Sequence, residues 1–237
     1  MNLTLIAAAV IPAIWLLIKV YRADRLEKEP VRLILLLVLG GVFSTLLASF
    51  TEQLGDIAIA YFLPEGTLWY DILLYFVVVA FSEEGFKYLL LKNRTWRSPE
   101  FNCLFDGVVY AVAVSLGFAL WENIGYVLRY GMGAAVARAL TAVPGHACFG
   151  VFMGAWYGFA KRRDLQRDEP HSARCRRMAV LVPALLHGGY DFIAVRQTEA
   201  LSTVFVVFVL GMFFTASRLV TRMSKNDEYM NPGWYMF

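Results

Sequence analysis

The sequence predicts an all-α integral membrane protein, a polytopic bundle of about seven transmembrane helices. Hydrophobic residues make up 59% of the 237 residues and charged residues only 17%, whereas an average soluble domain is about 25% charged. The apolar residues fall in runs close to the roughly 20 residues that a bilayer core requires. Basic residues are concentrated in alternate connections between these runs. We therefore expect one integral membrane domain over residues 1–237.

Seven apolar runs are candidate membrane spans. By residue number they cover 3–21, 33–50, 69–91, 104–128, 136–160, 178–195 and 200–218. The first run is not preceded by the basic segment of a signal peptide, so we expect it to be retained as a span. The C-terminal stretch MNPGWYMF is interpreted as an aromatic anchor at the membrane interface.

The distribution of Lys and Arg predicts the orientation of the bundle. The first, third and fifth connections contain four, three and seven basic residues and the C-terminal tail contains three, whereas the second, fourth and sixth connections contain none, two and one. Basic connections favour the cytoplasmic side of a membrane. We therefore expect the N-terminus outside and the C-terminus in the cytoplasm. The strict alternation favours seven spans over six or eight.

Other classes of protein find little support. Cys103, Cys148 and Cys175 lack the paired spacing of a disulfide framework or a zinc knuckle. No basic stripe with interleaved aromatic residues occurs outside the connections, so we expect no nucleic-acid partner. The composition instead predicts the lipid bilayer as a partner.

Ionisable side chains inside the predicted spans are the main functional signal. A charge at the bilayer centre costs roughly 2.5–3.5 kcal/mol on insertion scales, so such residues need partners or a water-filled cavity. They lie on spans three to six, as Glu83, Glu84, Lys87, Glu122, His146, His187 and Asp191. With a rise of about 1.5 Å per residue, the acidic and imidazole groups of these four helices fall within a band of about 10 Å. We therefore predict a polar chamber near the middle of the membrane.

Helical spacing predicts how these side chains face. Glu83 and Lys87 are four residues apart and share a face, whereas Glu83 and Glu84 point about 100° apart. We expect one glutamate to face the chamber and the other to be hydrogen-bonded to a neighbouring helix. Lys87 is interpreted as a structural ion-pair partner of Glu83, or of Asp106 at the near end of span four. His146 begins a stripe at four-residue steps, which continues with Gly150, Gly154 and Gly158 and favours tight helix packing.

Two kinds of chemistry suit this set of residues, and both hydrolyse an amide. A buried glutamate can take a proton from water while a nearby histidine donates to a developing oxyanion. Alternatively, His146, His187 and either Glu83 or Glu84 could hold Zn²⁺, which activates water. No serine or cysteine has an adjacent base, so covalent nucleophilic catalysis is not favoured.

Four motifs follow one another on successive spans, namely Glu83-Glu84-x-x-Lys87, Phe118-x-x-x-Glu122-Asn123, His146-x-x-x-Gly150 and His187-x-x-x-Asp191. In this order they resemble the PrsW family of intramembrane proteases, which is related to the CAAX prenyl endopeptidases and to bacteriocin-processing proteins. In the CAAX branch the first two motifs read EExxxR and FxxxH, so EExxK and FxxxE favour PrsW. The resemblance covers about residues 70–195. It implies a single protease domain with a catalytic core at about 69–195.

The resemblance implies catalytic roles for six residues, which are Glu83, Glu84, Glu122, His146, His187 and Asp191. The first motif supplies the glutamate that activates water, and which of its two glutamates does so stays open. The two histidines would polarise the scissile carbonyl or bind a metal, and Asp191 would orient His187 or help to position the water. Whether a metal is required also stays open, with Zn²⁺ as the candidate.

The resemblance further implies a bacterial inner-membrane protein that makes the first cut, at site 1, in a membrane-anchored anti-sigma factor. From the residues alone, the alternative is a transporter or channel that uses the same carboxylates and histidines as a proton relay. Inverted repeats would favour transport, and the sequence shows none. A non-catalytic membrane scaffold is a third possibility.

Overall fold

The computed structural model describes residues 3–196 and 198–230, and the described chain is helical almost throughout. One isolated antiparallel bridge joins Cys103 to Tyr229. The aromatic anchor was predicted for residues 230–237, and all of them after Met230 lie outside the described residues.

In the described part of the chain, eight α-helices and one π-helical segment follow one another. They are α1 (Leu3–Ala23), α2 (Val31–Phe62), α3 (Leu68–Ile72), the π segment (Leu73–Val79), α4 (Ala80–Thr95), α5 (Asp106–Leu140), α6 (Ala142–Leu165), α7 (Glu169–Val195) and α8 (Glu199–Lys225). The helices α3 and α4 are joined without a break by the π segment, so residues 68–95 form one rod. The carboxylates of the EExxK motif lie on its second half.

The bundle has the surface of a membrane protein. In the described part of the chain, five helical segments are long and apolar enough to cross a bilayer, and the longest covers residues 106–165. Large apolar side chains such as Ile11, Leu39 and Phe214 are exposed, while Glu84 and Lys87 are completely buried. An apolar exterior around charged interior groups is what a lipid solvent demands. The predicted class of helical membrane bundle is confirmed, and the number of crossings and their orientation stay predictions.

Several helices extend beyond the predicted membrane spans, whose bounds stay predictions. Helix α2 continues to Phe62 instead of ending near residue 50, and α7 begins at Glu169 instead of residue 178. Residues 129–135, expected to be a connection, lie within α5, whose helix is interrupted at Gly131 (φ 78°, ψ −161°). Hydropathy marks the part of a helix that suits hydrocarbon, whereas the helix itself continues as long as its backbone hydrogen bonds are satisfied.

Helix α5 is the core of the bundle. Every residue from Asp106 to Ala119 is buried, because α1, α2, α4 and α6 all pack around this half of the helix. A helix that is apolar on all sides is expected in such a central position. The second half of α5 carries Glu122 and Asn123, so the core helix also places two polar residues of the predicted chamber.

Glycines set the closest helix contacts. A Cβ at Gly154 of α6 would lie 2.4 Å from the carbonyl oxygen of Gly107, and a Cβ at Gly41 of α2 would lie 2.0 Å from that of Val114. Both helices therefore pack directly on the backbone of α5. The packing role predicted for the glycine stripe is confirmed. His146 lies about two turns before Gly154, so the same contact fixes its distance from α5.

We expect Gly154→Ala to lower the melting temperature of the purified protein, because its methyl group would meet backbone atoms of α5. Overpacking of this kind typically costs about 1–3 kcal/mol. Gly211→Ala in α8 is the matched control, since a Cβ there has nothing within 4 Å and alanine is the better helix former. Thermal unfolding followed by tryptophan fluorescence measures both variants. Equal melting temperatures would contradict the close packing of α6 on α5.

Candidate functional site

A cavity of about 280 Å³ lies among α2, the π segment, α5, α6 and α7, with the start of α4 at its edge. Its polar lining comes from helices that are far apart in sequence, as Glu52, Glu83, Glu122, Arg138, His146, His187, Tyr190 and Asp191. Glu84 and Lys87 lie behind this lining, fully enclosed. The structure therefore brings all six predicted site residues to one place, around the chamber that the sequence predicts.

Lys87 joins the acidic groups to an imidazole. Its Nζ lies 2.7 Å from Glu84 Oε1, 3.1 Å from Glu83 Oε2 and 3.2 Å from His146 Nδ1. The ammonium also lies 3.9 Å from the ring centre of Phe118. A buried charge is tolerated only where opposite charge and hydrogen bonds replace its hydration. These contacts supply both.

The alternative partner predicted for Lys87 was wrong. Asp106 instead accepts the backbone N–H groups of Asn102 and Cys103, with its Oδ2 at 3.0 and 2.6 Å. A carboxylate at the first residue of a helix satisfies nearby backbone donors at low cost. Asp106 therefore holds the turn before α5, and Lys87 is paired within α4.

The two adjacent glutamates differ as their helical spacing predicts. Glu83 lines the cavity. Glu84 is turned into the protein, where its Oε1 contacts Lys87 and also lies 3.0 Å from His187 Nδ1 on α7. Its Oε2 is buried and has no hydrogen-bond partner among the described residues. One glutamate therefore faces the space that a substrate can reach, and the other links α4 to α7.

Each histidine has a carboxylate on its outer nitrogen. His146 Nε2 lies 2.9 Å from Glu122 Oε2, and His187 Nε2 lies 3.3 Å from Asp191 Oδ2. Because an ionised carboxylate only accepts hydrogen bonds, His146 carries its proton on Nε2, which leaves Nδ1 to accept from Lys87. Both nitrogens of His187 face carboxylates, Nδ1 with Glu84 and Nε2 with Asp191, so both donate only when this ring is protonated. The two ring centres are 5.2 Å apart. Both Nδ1 atoms are thereby directed towards the Glu83–Lys87 group.

A second set of contacts holds Glu122 in place. Arg138 Nη2 lies 2.7 Å from Glu122 Oε2, and Arg138 Nε donates to Asn123 Oδ1 at 3.0 Å. Asn123 in turn donates to the carbonyl oxygen of Ala9 in α1 at 2.8 Å. The orientation of His146 therefore depends on a chain of polar contacts that reaches the first helix.

A model of the PrsW family, described as intramembrane metalloprotease, matches residues 29–217. The matched region is most of the chain and contains every residue of the site. This chain belongs to the PrsW family. The resemblance inferred from the four motifs is thereby confirmed.

Curated relatives agree with this assignment. Protease PrsW of Geobacillus kaustophilus (strain HTA426) is 34% identical over 217 residues, which are 92% of this chain and 91% of the relative. Protease PrsW of Bacillus subtilis (strain 168) is 35% identical over 191 residues, 80% of this chain and 82% of the relative. No solved structure matches the chain significantly. The protein is a multi-pass membrane peptidase, and family membership favours hydrolysis over the transport alternative.

The PrsW description names a metalloprotease, and the residues of the site fit a metal. One ligand atom from each of Glu83, Glu84, His146 and His187 lies within 4.8 Å of the others, and these are the nitrogen and oxygen donors that Zn²⁺ uses. The carboxylate behind each Nε2 is the support that metal-binding histidines usually have. The unpartnered Oε2 of Glu84 is a further donor. Nδ1 of each histidine is the atom that faces these donors, and ligation there would replace the contacts of His146 with Lys87 Nζ and of His187 with Glu84 Oε1.

Sequence reasoning missed two residues of the PrsW site, Glu52 and Arg138, because both were assigned to connections. Glu52 lies on α2 beyond the end of the predicted span, yet it lines the cavity. One signal could have found it, since the small residues Gly41, Thr45 and Ala48 form a buried stripe whose next position is Glu52. Arg138 offered no such signal, because its contact depends on how the chain folds back after Gly131.

We expect Lys87→Met to destabilise this PrsW protein by about 3–5 kcal/mol, because it leaves two carboxylates without their buried counter-charge. The double variant Lys87→Met/Glu84→Gln should recover part of the loss, since one of those charges is then removed. Lys225→Met at the exposed end of α8 is the matched control. Thermal unfolding of the purified proteins gives the comparison. A Lys87→Met protein that melts like wild type would show that the ammonium does not hold the acidic groups.

Proposed function

We propose that this PrsW-family peptidase hydrolyses a peptide bond of a membrane-anchored protein with water activated by Glu83. The observation that carries the proposal is that Glu83, alone of the two adjacent glutamates, lines the cavity. A general base must reach both water and the group that it attacks. Glu83 Oε2 also lies 3.8 Å from His187 Nδ1, so base and imidazole face the same space.

His146 and His187 are the proposed electrophilic groups. A metal ion held at their inner nitrogens would stabilise the negative charge that develops on the scissile carbonyl oxygen, and without a metal a protonated His187 would donate a hydrogen bond to that oxygen. We assign Glu122 and Asp191 as positioning residues, because each holds a histidine through Nε2. Glu84 is assigned the same kind of role towards His187. Lys87 supplies positive charge to this group of acids.

Zn²⁺ is the proposed metal, held by His146, His187 and either Glu83 or Glu84. Such an ion polarises a carbonyl and activates water when bound. The protein residues orient the donors, since the two histidines are fixed by carboxylates of α5 and α7. They also keep a glutamate beside the cavity to accept a proton.

The proposed substrate is a single-pass anti-sigma factor, cut at site 1 in a bacterial inner membrane. The support is the resemblance to PrsW in the four motifs and the bacterial sources of the relatives. We also propose that residues 1–237 form one protease domain. Its core, expected at about 69–195, is extended by α2, because Glu52 lies on the cavity.

We expect co-expression with a candidate anti-sigma factor, tagged at both ends, to give a shortened product. Glu83→Gln should lower the cleavage rate by at least about 100-fold, since general-base catalysis is typically worth 10²–10⁴-fold. His146→Ala and His187→Ala should also lose the product. Glu65→Gln, at an exposed residue outside the bundle core, is the matched control. Product that persists in all three site variants would reject the site.

We expect purified wild-type protein to contain about one zinc per chain by elemental analysis, as a site with two His and a carboxylate would hold. His187→Ala should lose the zinc, whereas Glu65→Gln should keep it. A chelator should abolish cleavage and added Zn²⁺ should restore it. Zinc-free wild-type protein that cleaves in the presence of chelator would reject the metal and leave glutamate-only chemistry.

A further inference from the structure

A second group of buried carboxylates lies away from the cavity. We call it the Asp24 cluster, and it consists of Asp24, Glu29, Asp106 and Asp227. Asp24 and Glu29 come from the α1–α2 connection, Asp106 begins α5, and Asp227 follows α8. Asp106 is separated from Glu122 by about 24 Å along α5. The cluster is therefore distinct from the peptidase site.

The carboxylates of this cluster converge. One oxygen from each of Asp24, Glu29 and Asp106 lies within 4.8 Å of the others, and the same holds for atoms of Cys103, Asp106 and Asp227. Asp24 and Glu29 are each 2% exposed and Asp106 is completely buried. Asp106 belongs to both triplets, so the triplets adjoin, with Asp227 partly buried at their edge.

The cluster lacks the donors that buried acids need. Among the described residues, no donor group within strict hydrogen-bond geometry reaches either side-chain oxygen of Asp24, Glu29 Oε1, Asp106 Oδ1 or Asp227 Oδ2. Glu29 and Asp106 lie close enough to share a proton, and the backbone N–H of Leu26 lies near Asp24. The other oxygens of Glu29, Asp106 and Asp227 have partners, which are the Tyr110 hydroxyl and the backbone N–H groups of Asn102, Cys103, Phe105 and Glu228. Buried acceptors are costly without a partner, so these oxygens require either shared protons or an additional positive ligand.

Nearby basic residues do not supply the missing charge. Lys28 Nζ donates to the carbonyl oxygens of Tyr21, Arg22 and Asp24 at the end of α1, rather than to the carboxylates. Burial raises the pKa of Asp24 to about 6 and the pKa of Glu29 to about 7. Burial also raises the pKa of Asp227. Without a cation these acids therefore ionise at higher pH than free carboxyl groups do.

We propose that the Asp24 cluster is a second metal site, which binds a hard divalent cation such as Mg²⁺ or Ca²⁺ through carboxylate oxygens. Hard cations prefer oxygen ligands, and three or four carboxylates are the donor set of such sites. One thiol, that of Cys103, lies beside these carboxylates, and a set dominated by oxygen donors favours a hard ion over a soft, thiolate-ligated one. The ion would join the α1–α2 connection, the start of α5 and the segment after α8.

The test uses full-length protein stripped with EDTA and then given MgCl₂, CaCl₂ or MnCl₂. We expect each salt to raise the melting temperature. Titration with Mn²⁺, followed by electron paramagnetic resonance, should show one Mn²⁺ bound per chain at the Asp24 cluster. Asp24→Asn should lose the melting increment and weaken Mn²⁺ binding at least about tenfold. It should fold, and in EDTA melt no lower than wild type, because it removes an unpaired buried charge.

Glu84→Gln is the matched control, since it alters the peptidase site and should keep the full increment. Two outcomes would overturn the proposal, which are no increment in wild type with any of the three salts and an equal increment in Asp24→Asn.

The pH dependence separates a cation from protons shared between the acids. The groups that face Asp24 and Glu29 are Glu27 and Lys28 of the same connection, Asp106 and Tyr110 of α5, Cys103 before it, and Asp227. Acids whose pKa is raised in the folded protein bind protons on folding. Without a cation, the stability that these protons contribute is therefore lost as the pH rises from about 4 to 7. A cation competes with those protons, so its increment should be larger at pH 8 than at pH 5.5. The same fall without any response to divalent salts would assign the cluster to shared protons.

Discussion

The completely buried ammonium of Lys87 is the contact on which the centre of the bundle depends. Two glutamates stand side by side on α4, at a depth where water is absent outside the cavity. Neither could remain ionised there without a positive charge close by. Lys87 lies within 3.2 Å of both glutamates and of His146. It therefore allows α4 to present Glu83 to the cavity while Glu84 stays folded against α7.

The remaining polar contacts turn this charged group into an oriented site. The carboxylates of α5 and α7 hold the outer nitrogens of the two histidines, so the inner nitrogens face α4 without any need for rearrangement. The glycine contacts between α6 and α5 fix how far His146 stands from Glu122. Catalytic groups are most effective when their supports are rigid in advance. Here that rigidity comes from backbone packing on one side and paired charges on the other.

The sequence predicted what depends on local composition, and it failed where contacts join distant segments. Apolar runs revealed the membrane fold, and rare charges inside them revealed Glu83, Glu84, His146 and His187. A charge near the end of a span looks like part of a connection, which is why Glu52 was missed. The Asp24 cluster was also not predicted, because Asp24, Glu29 and Asp227 lie in segments near the two ends of the chain and Asp106 lies at the start of α5. Only the folded path of α1, α5 and α8 brings Asp227 towards Asp24.

The position of Glu83 on a cavity wall bears on how a peptidase of this kind meets its substrate. In an α-helix each peptide carbonyl is hydrogen-bonded within the helix and surrounded by side chains. We therefore propose that a substrate helix unwinds locally before its peptide bond reaches Glu83. Unwinding in lipid exposes backbone groups that nothing there can satisfy. The polar lining of the cavity offers hydrogen-bond donors and acceptors to the exposed backbone of the substrate. The side chains that would stabilise the unwound substrate therefore lie on the same surface as those proposed to hydrolyse it.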